Sequence, residues 1–230
     1  MNSVIIPAAG KSSRMGDKID KQLVKLNSKE LIIHTIEIFK QNKNIDEIIL
    51  VVNSKKIKIF KKLIRNYNLD NVKIISGGDS RKQSVYLGLL SMDKTEGKVL
   101  IHDGARPFLN NKYIDKILKK LDKYKGCVLG VKPKNTIKSI ENEFIKKTYK
   151  RNNLCSIQTP QGFRKDIILK AYKKGIKEDI KVTDDSSLVE RLGIKIKIIK
   201  GDYTNFKVTT KIDLELAKVL IRKEFIWKLE

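Results

Sequence analysis

A chain of 230 residues with 40% hydrophobic and 7% aromatic residues can bury a sizeable core, which excludes a disordered or collagen-like polymer. Fifty Lys and Arg against 26 acids leave a formal net charge of +24, but only eight of the fifty are Arg. Base readers lean on Arg and single-strand binders interleave cations with aromatics, whereas these lysines are spread over almost every expected helix, so a nucleic-acid partner is not expected.

The elements alternate. Short β-branched runs are expected as strands over residues 4–8, 47–52, 72–76, 98–102, 127–131, 155–159 and 194–199. Between them, Leu31, Ile32, Thr35, Ile36, Ile38 and Phe39 make one apolar helical stripe, Ile57, Phe60, Leu63 and Ile64 a second, and Ile114, Ile117, Leu118 and Leu121 a third. A last helix is expected over 212–225. The pattern predicts an α/β fold, a Rossmann-like, doubly wound and mostly parallel sheet with helices on both faces. Residues 132–153 break the alternation with short strands and polar turn residues, and are expected to form a projecting β-hairpin arm on a single domain spanning 1–230.

No apolar run approaches the ~18 residues of a membrane span. The start, Met1-Asn2-Ser3-Val4-Ile5-Ile6-Pro7, lacks the basic segment of a signal peptide, so a cytoplasmic protein is expected. Cys127 and Cys155 lie far apart, and His34 and His102 form no ligand cluster with them, which points away from disulfides and structural zinc.

Chemistry-bearing residues fall at strand ends. The first strand runs into Ala8-Ala9-Gly10-Lys11-Ser12-Ser13-Arg14-Met15-Gly16, with Lys21 beyond. Small residues there let backbone amides approach a phosphate chain, and the cations neutralise it. It is not a Walker A loop, because position 5 is Ile, and no G-x-G-x-x-G occurs. Gly77-Gly78-Asp79-Ser80-Arg81 makes a second tight turn, leading through Gln83, Ser84 and Val85 into a helix. His102-Asp103-Gly104-Ala105-Arg106-Pro107 puts a hard-cation ligand beside a guanidinium suited to phosphate. His102 reads as a structural residue. Thr159-Pro160-Gln161-Gly162-Phe163 is expected to follow a strand, Thr183-Asp184-Asp185 to cap a helix, and Asn205-Phe206-Lys207-Val208-Thr209-Thr210 to precede the last helix.

In combination these runs resemble the bacterial 2-C-methyl-D-erythritol 4-phosphate cytidylyltransferases (the IspD family) over roughly residues 4–221. The matching stretches are Pro7-Ala8-Ala9-Gly10 through Arg14-Met15-Gly16, Lys21-Gln22, Gly77-Gly78-Asp79 with Ser84-Val85, the run 102–107, Thr136-Ile137-Lys138, Thr159-Pro160-Gln161, Thr183-Asp184-Asp185, and Tyr203-Thr204-Asn205 through Thr210. The resemblance implies transfer of CMP from CTP to the acceptor phosphate in the non-mevalonate isoprenoid pathway. It assigns Arg14, Lys21 and Lys207 to catalysis as a cationic cage, Asp103 to Mg²⁺, and Pro7, Ala8, Ala9, Gly10, Gly78, Asp79, Ser84 and Gly104 to the nucleotide. Arg106, Thr136, Arg151 and Thr159 would hold the polyol phosphate, Thr136 and Arg151 from an arm that reaches a second subunit of a homodimer.

Two positions depart from the family pattern. Asp20 stands where Pro commonly precedes the catalytic Lys, which implies a less rigid loop, and Asn135 replaces an Asp before the arm threonine. A ribitol 5-phosphate cytidylyltransferase is the nearest competing reading. Gly104-Ala105 and Asp185-Ser186-Ser187-Leu188 look more like the methylerythritol enzymes.

Overall fold

The computed structural model describes residues 1–10, 20–93 and 96–222. Seven strands form the main sheet: β1 (Asn2–Pro7), β4 (Glu47–Val52), β5 (Val72–Ser76), β6 (Lys98–Ile101), β7 (Gly126–Val131), β10 (Ser156–Arg164) and β11 (Lys197–Lys200). Their order is β11-β7-β10-β6-β1-β4-β5. β1 pairs in parallel with β4 and β6, β4 with β5, and β7 with β11, while β10 runs antiparallel to both β6 and β7. Two-stranded ribbons complete the set: β2 (Lys25–Leu26) with β3 (Lys29–Glu30), and β8 (Lys138–Glu141) with β9 (Phe144–Thr148).

The sequence of β4, EIILVV, explains its place: every residue is buried, as a strand covered on both faces requires. Ile48, Leu50 and Val52 face helices α1 (Leu31–Lys40), α2 (Ile57–Asn66) and α4 (Asn111–Leu121), whose apolar stripes carry Ile36 and Phe39, Phe60 and Leu63, and Ile114 and Ile117. Ile49 and Val51 face the other layer, where α3 (Arg81–Leu90), α5 (Lys165–Lys177) and α6 (Ser186–Glu190) contribute Val85, Tyr172 and Leu188. A third, smaller cluster joins Leu26, Leu31, Ala105, Phe108 and Val208 to Ala217 of α7 (Lys211–Arg222).

Several expectations need correcting. The run after Thr159 does not follow a strand; it lies inside β10, which continues to Arg164. Pro160 offers no amide to the ladder, and the β10–β7 register shifts between Gln158 and Gln161 to accommodate it. Helix α5, with Ile168, Ala171 and Tyr172 on its buried side, was not among the sequence stripes. The last strand begins at Lys197 instead of Ile194, and of the last helix only Lys211–Arg222 is described.

Residues 132–153 leave the sheet as the β8–β9 hairpin. Glu141 pairs with Phe144 across a two-residue loop, in which Asn142 (φ 47°) and Glu143 (φ 69°) take the left-handed conformations such a turn requires. Ile140, Phe144 and Ile145 on this ribbon are exposed by 71%, 78% and 63%, so its apolar side chains are left unburied by its own chain.

Gly162 lets α4 lie directly on β10: a Cβ there would come within 2.3 Å of Ile117 Cγ2 and 3.0 Å of Leu100 Cδ2. Gly162→Ala is therefore expected to destabilise the protein by about 1–3 kcal/mol through overpacking, read as a lower urea midpoint at unchanged slope.

Candidate active site

The strand order reverses between β1 and β6, and the carboxyl ends of such neighbours leave a crevice. Here it is a cavity of about 610 Å³ whose lining includes Pro7, Ala9, Gly10, Lys21, Gly78, Asp79, Ser84, Asp103, Gly104 and Lys207. These predicted positions, scattered from residue 7 to residue 207, thus share one space. Ala8 packs into the core behind it, its amide donating to Val51 O at 2.7 Å. Arg14 lies outside the described residues. A recess of about 660 Å³ beside β7 and β11 is lined largely by apolar groups such as Val128, Ile157, Ile196 and Ile198, and gathers none of the predicted site residues.

Each wall has a local cause. Gly77 and Gly78 turn after β5 where a side chain would collide: a Cβ on Gly77 would reach Ala9 Cβ at 2.8 Å, and one on Gly78 would reach Gln83 Cβ at 2.6 Å. Ser80 and Gln83 form a reciprocal capping box that starts α3, and Gly78 N donates to Ser84 Oγ at 3.2 Å. The turn is held before any ligand arrives. On the opposite side, Asp20 caps the short helical turn Lys21–Leu23 and pairs with Lys56 at 2.7 Å. The residue standing in place of proline therefore anchors this loop through its carboxylate.

Asp103 follows β6, with Lys207 Nζ and Arg106 Nε each 3.1 Å from its Oδ2. Burial alone would raise its pKa, but the charges of Lys207, Arg106 and Arg81 outweigh it and hold the carboxyl well below the usual carboxylate range. Lys207 is aimed by its neighbours: Val208 is fully buried in the third cluster with its amide on Ala105 O at 2.9 Å, and Phe206 stacks on Phe108 at 5.3 Å. Arg106 also donates to Asn205 O at 2.8 Å, tying the residue 103 and residue 207 loops together.

Behind Asp103 runs a buried relay. Its amide donates to Thr159 Oγ1 at 3.0 Å, Thr159 bonds His102 Nδ1 at 3.1 Å, and His102 Nε2 bonds Arg106 O at 3.1 Å. With a hydroxyl proton on Nδ1 and a carbonyl on Nε2, the neutral imidazole protonated at Nε2 satisfies all three groups. Thr159 and Arg106 thus sit against Asp103 but outside the cavity lining. Thr136 and Arg151 lie in the arm, where Arg151 donates to Lys134 O at 2.8 Å; neither lines the cavity of its own chain.

The sequence reading gave Arg81 no role and Asp185 only a share in helix capping. Arg81 lines the cavity and forms a two-pronged pair with Asp185 at 2.8 and 2.6 Å; the Asp185 side chain is fully buried and also accepts from Tyr172. Burial opposes the guanidinium charge, yet Asp185 overrides it and raises the Arg81 pKa. The capping expected of the Thr-Asp-Asp run falls to Asp184, which accepts from Ser187 N at 3.1 Å. The only sequence hint of the Arg81 pair was an arginine after the glycine turn.

Among the described residues no three His, Cys, Asp or Glu side chains cluster. A resident, protein-caged ion does not fit this donor set. A Mg²⁺ ion that keeps water and phosphate ligands needs only one or two carboxylates, and Asp103 fits that requirement.

An α/β sheet with a carboxylate and cations at the switch point defines a protein of the nucleotidyltransferase type. Residues 2–223 match the family model described as IspD: 2-C-methyl-D-erythritol 4-phosphate cytidylyltransferase. Relatives bearing that same name are 42% identical in Clostridioides difficile, covering 97% of this chain and 95% of the relative, and 43% identical in Clostridium acetobutylicum, covering 98% and 100%. The crystal structure of 4-diphosphocytidyl-2C-methyl-D-erythritol synthase from Anaerococcus prevotii superposes with a TM-score of 0.85 at 33% identity, covering 96% of each chain. That of the Francisella tularensis cytidylyltransferase gives 0.81 at 31% identity, covering 95% of this chain and 98% of the other. The chain belongs to the IspD family.

His102 is buried with a pKa pushed down to about 4 from an ordinary 6.5, by burial first. Between these values the unfolded chain binds a proton that the folded one refuses, so this stabilisation is full above pH ~6.5 and is lost as pH falls toward ~4. Urea titrations should show wild type losing up to about 3 kcal/mol more than His102→Gln across that window.

Proposed function

We propose that this chain is a cytidylyltransferase that transfers CMP from CTP to 2-C-methyl-D-erythritol 4-phosphate with release of pyrophosphate, in the non-mevalonate isoprenoid pathway. The observation that carries the reading is the meeting of Lys207 and Asp103 at 3.1 Å in the cavity that Lys21 and the Gly78–Asp79 turn also line.

The acceptor phosphate is already an anion at neutral pH, so the reaction needs no general base. An acceptor oxygen forms a bond to the α-phosphorus of CTP, the bond from that phosphorus to the β-phosphate bridging oxygen breaks, and pyrophosphate leaves with the electron pair. The protein's task is alignment and neutralisation. Lys21 and Lys207, which line the cavity, supply positive charge along the triphosphate, and the resemblance adds Arg14 to them. Asp103 would hold a Mg²⁺ ion entering with CTP, which supplies further positive charge to the phosphate oxygens. With Asp103 committed to such an ion, the Lys207 ammonium, now paired with that carboxylate at 3.1 Å, would be available to the α-phosphate.

Backbone groups of Pro7, Ala8, Ala9, Gly10 and Gly104 contact the nucleotide in this reading, and Gly78, Asp79 and Ser84 read the base. Cytosine presents an amino donor beside ring acceptors, and a fixed turn matched to that edge leaves unpaired groups against uracil. Arg106 and Thr159 serve the acceptor side.

The chain works as one catalytic unit with residues 132–153 as its dimerisation arm. Thr136 and Arg151 lie away from their own cavity, and the arm's exposed Ile140, Phe144 and Ile145 suit burial against a second copy, so each arm completes the neighbour's site. No helix among the described residues is long and apolar enough to cross a membrane, which accords with a cytoplasmic enzyme acting on small molecules.

Purified protein given CTP, Mg²⁺ and either polyol phosphate is expected to release pyrophosphate with 2-C-methyl-D-erythritol 4-phosphate. Release with ribitol 5-phosphate alone reassigns the acceptor, and release with neither overturns the reading. Lys207→Ala is expected to lower kcat by about 10²–10³ while KM for CTP changes less than about tenfold, because charge on the α-phosphate grows in the transition state. Near-normal kcat with weaker CTP binding would remove Lys207 from the transition state.

A further inference from the structure

Tyr203 is half exposed, at 48%, so it adds little to the core, but both ends of its side chain are directed at the root of the arm. Its hydroxyl donates to Lys132 O at 2.8 Å, and Lys134 Nζ lies 4.4 Å from the centre of its ring. Lys134 O in turn accepts from Arg151 Nη1 at 2.8 Å, which ties the outgoing leg of the arm to the returning one.

The turn that carries Tyr203 is fastened to β10, behind the cavity. Asp202 O accepts from Gln158 Nε2 at 2.7 Å, and Asn205 Nδ2 donates to Thr159 O at 2.8 Å. Asn205 O accepts from Arg106, which holds Asp103, and Lys207 follows two residues on. One short loop thus meets the charged cluster on its inner side and the arm on its outer side.

We propose that Tyr203 is a positioning residue, a strut that sets the angle of the arm relative to the catalytic body and thereby the place at which the arm presents Thr136 and Arg151 to the acceptor phosphate in the neighbouring site. This rests on the cytidylyltransfer reading above and adds to it a determinant of acceptor affinity that touches neither substrate. A hydrogen bond and an exposed cation–π contact are together worth roughly tenfold in an equilibrium, so loosening the strut spreads the arm over orientations that bind acceptor less well.

Steady-state pyrophosphate release, with each substrate varied in turn, tests this on Tyr203→Ala and Tyr203→Phe. Tyr203→Ala is expected to raise KM for the polyol phosphate about tenfold, leaving KM for CTP unchanged. Tyr203→Phe keeps the ring under Lys134 and is expected to raise it only about two- to fivefold. An unchanged acceptor KM, or equal rises for both substrates, overturns the strut. Failure of the wild type to turn over sinks the cytidylyltransfer reading instead. The strut is then judged by amide hydrogen exchange over residues 132–137, where faster exchange in Tyr203→Ala supports it and unchanged exchange overturns it.

Discussion

The contact between Asp103 and its cations is the constraint around which the rest of the molecule is arranged. A carboxylate this buried stays ionised only because Lys207, Arg106 and Arg81 face it, and the cations can be crowded together only because it sits among them. Either party alone would be costly in the crevice. Together they hold charge in a balanced form at the sheet's switch point, the carboxylate ionised and the cations neutralised.

The three packing clusters have separate tasks. The two large ones cover the two faces of the sheet where the parallel strands β1, β4, β5 and β6 lie side by side, with Gly77 N on Val52 O and His102 N on Ile5 O closing the ladder at the crevice. The third, around Val208 and Ala105, brings a segment from the far end of the chain against β6. Polar side chains then fix angles: Asp185 holds Arg81, and His102 with Thr159 holds the backbone at Asp103.

What the sequence disclosed follows from the range over which each signal acts. A continuous apolar run gave β4 residue for residue, since a strand buried on both faces needs nothing but apolar side chains, and the half-buried edge strand β5 was found from Val72, Ile74 and Ile75. β10 was cut short because Pro160 and Gly162 carry turn signals locally, whereas their presence answers to neighbours: a register shift against β7 and the close approach of Ile117. The cavity residues were legible through glycine turns and strand-end charges, and through the family pattern. Arg81 was not, because its partner Asp185 lies 104 positions away and no local spacing announces it. Thr136 and Arg151 are a different case, since they belong to the arm and do not line the cavity at the switch point.

The lysine-rich composition has a mechanical consequence at the rim of the sheet. Among the described residues β11 has no strand beyond it, and its sequence is Lys-Ile-Ile-Lys, with Ile198 half exposed between cations. An uncovered apolar edge of this kind invites another molecule to extend the ladder into an insoluble ribbon. Ammonium groups at both ends of the strand make such stacking bring like charges together, so part of the surplus positive charge works as a guard against self-association along an unprotected border.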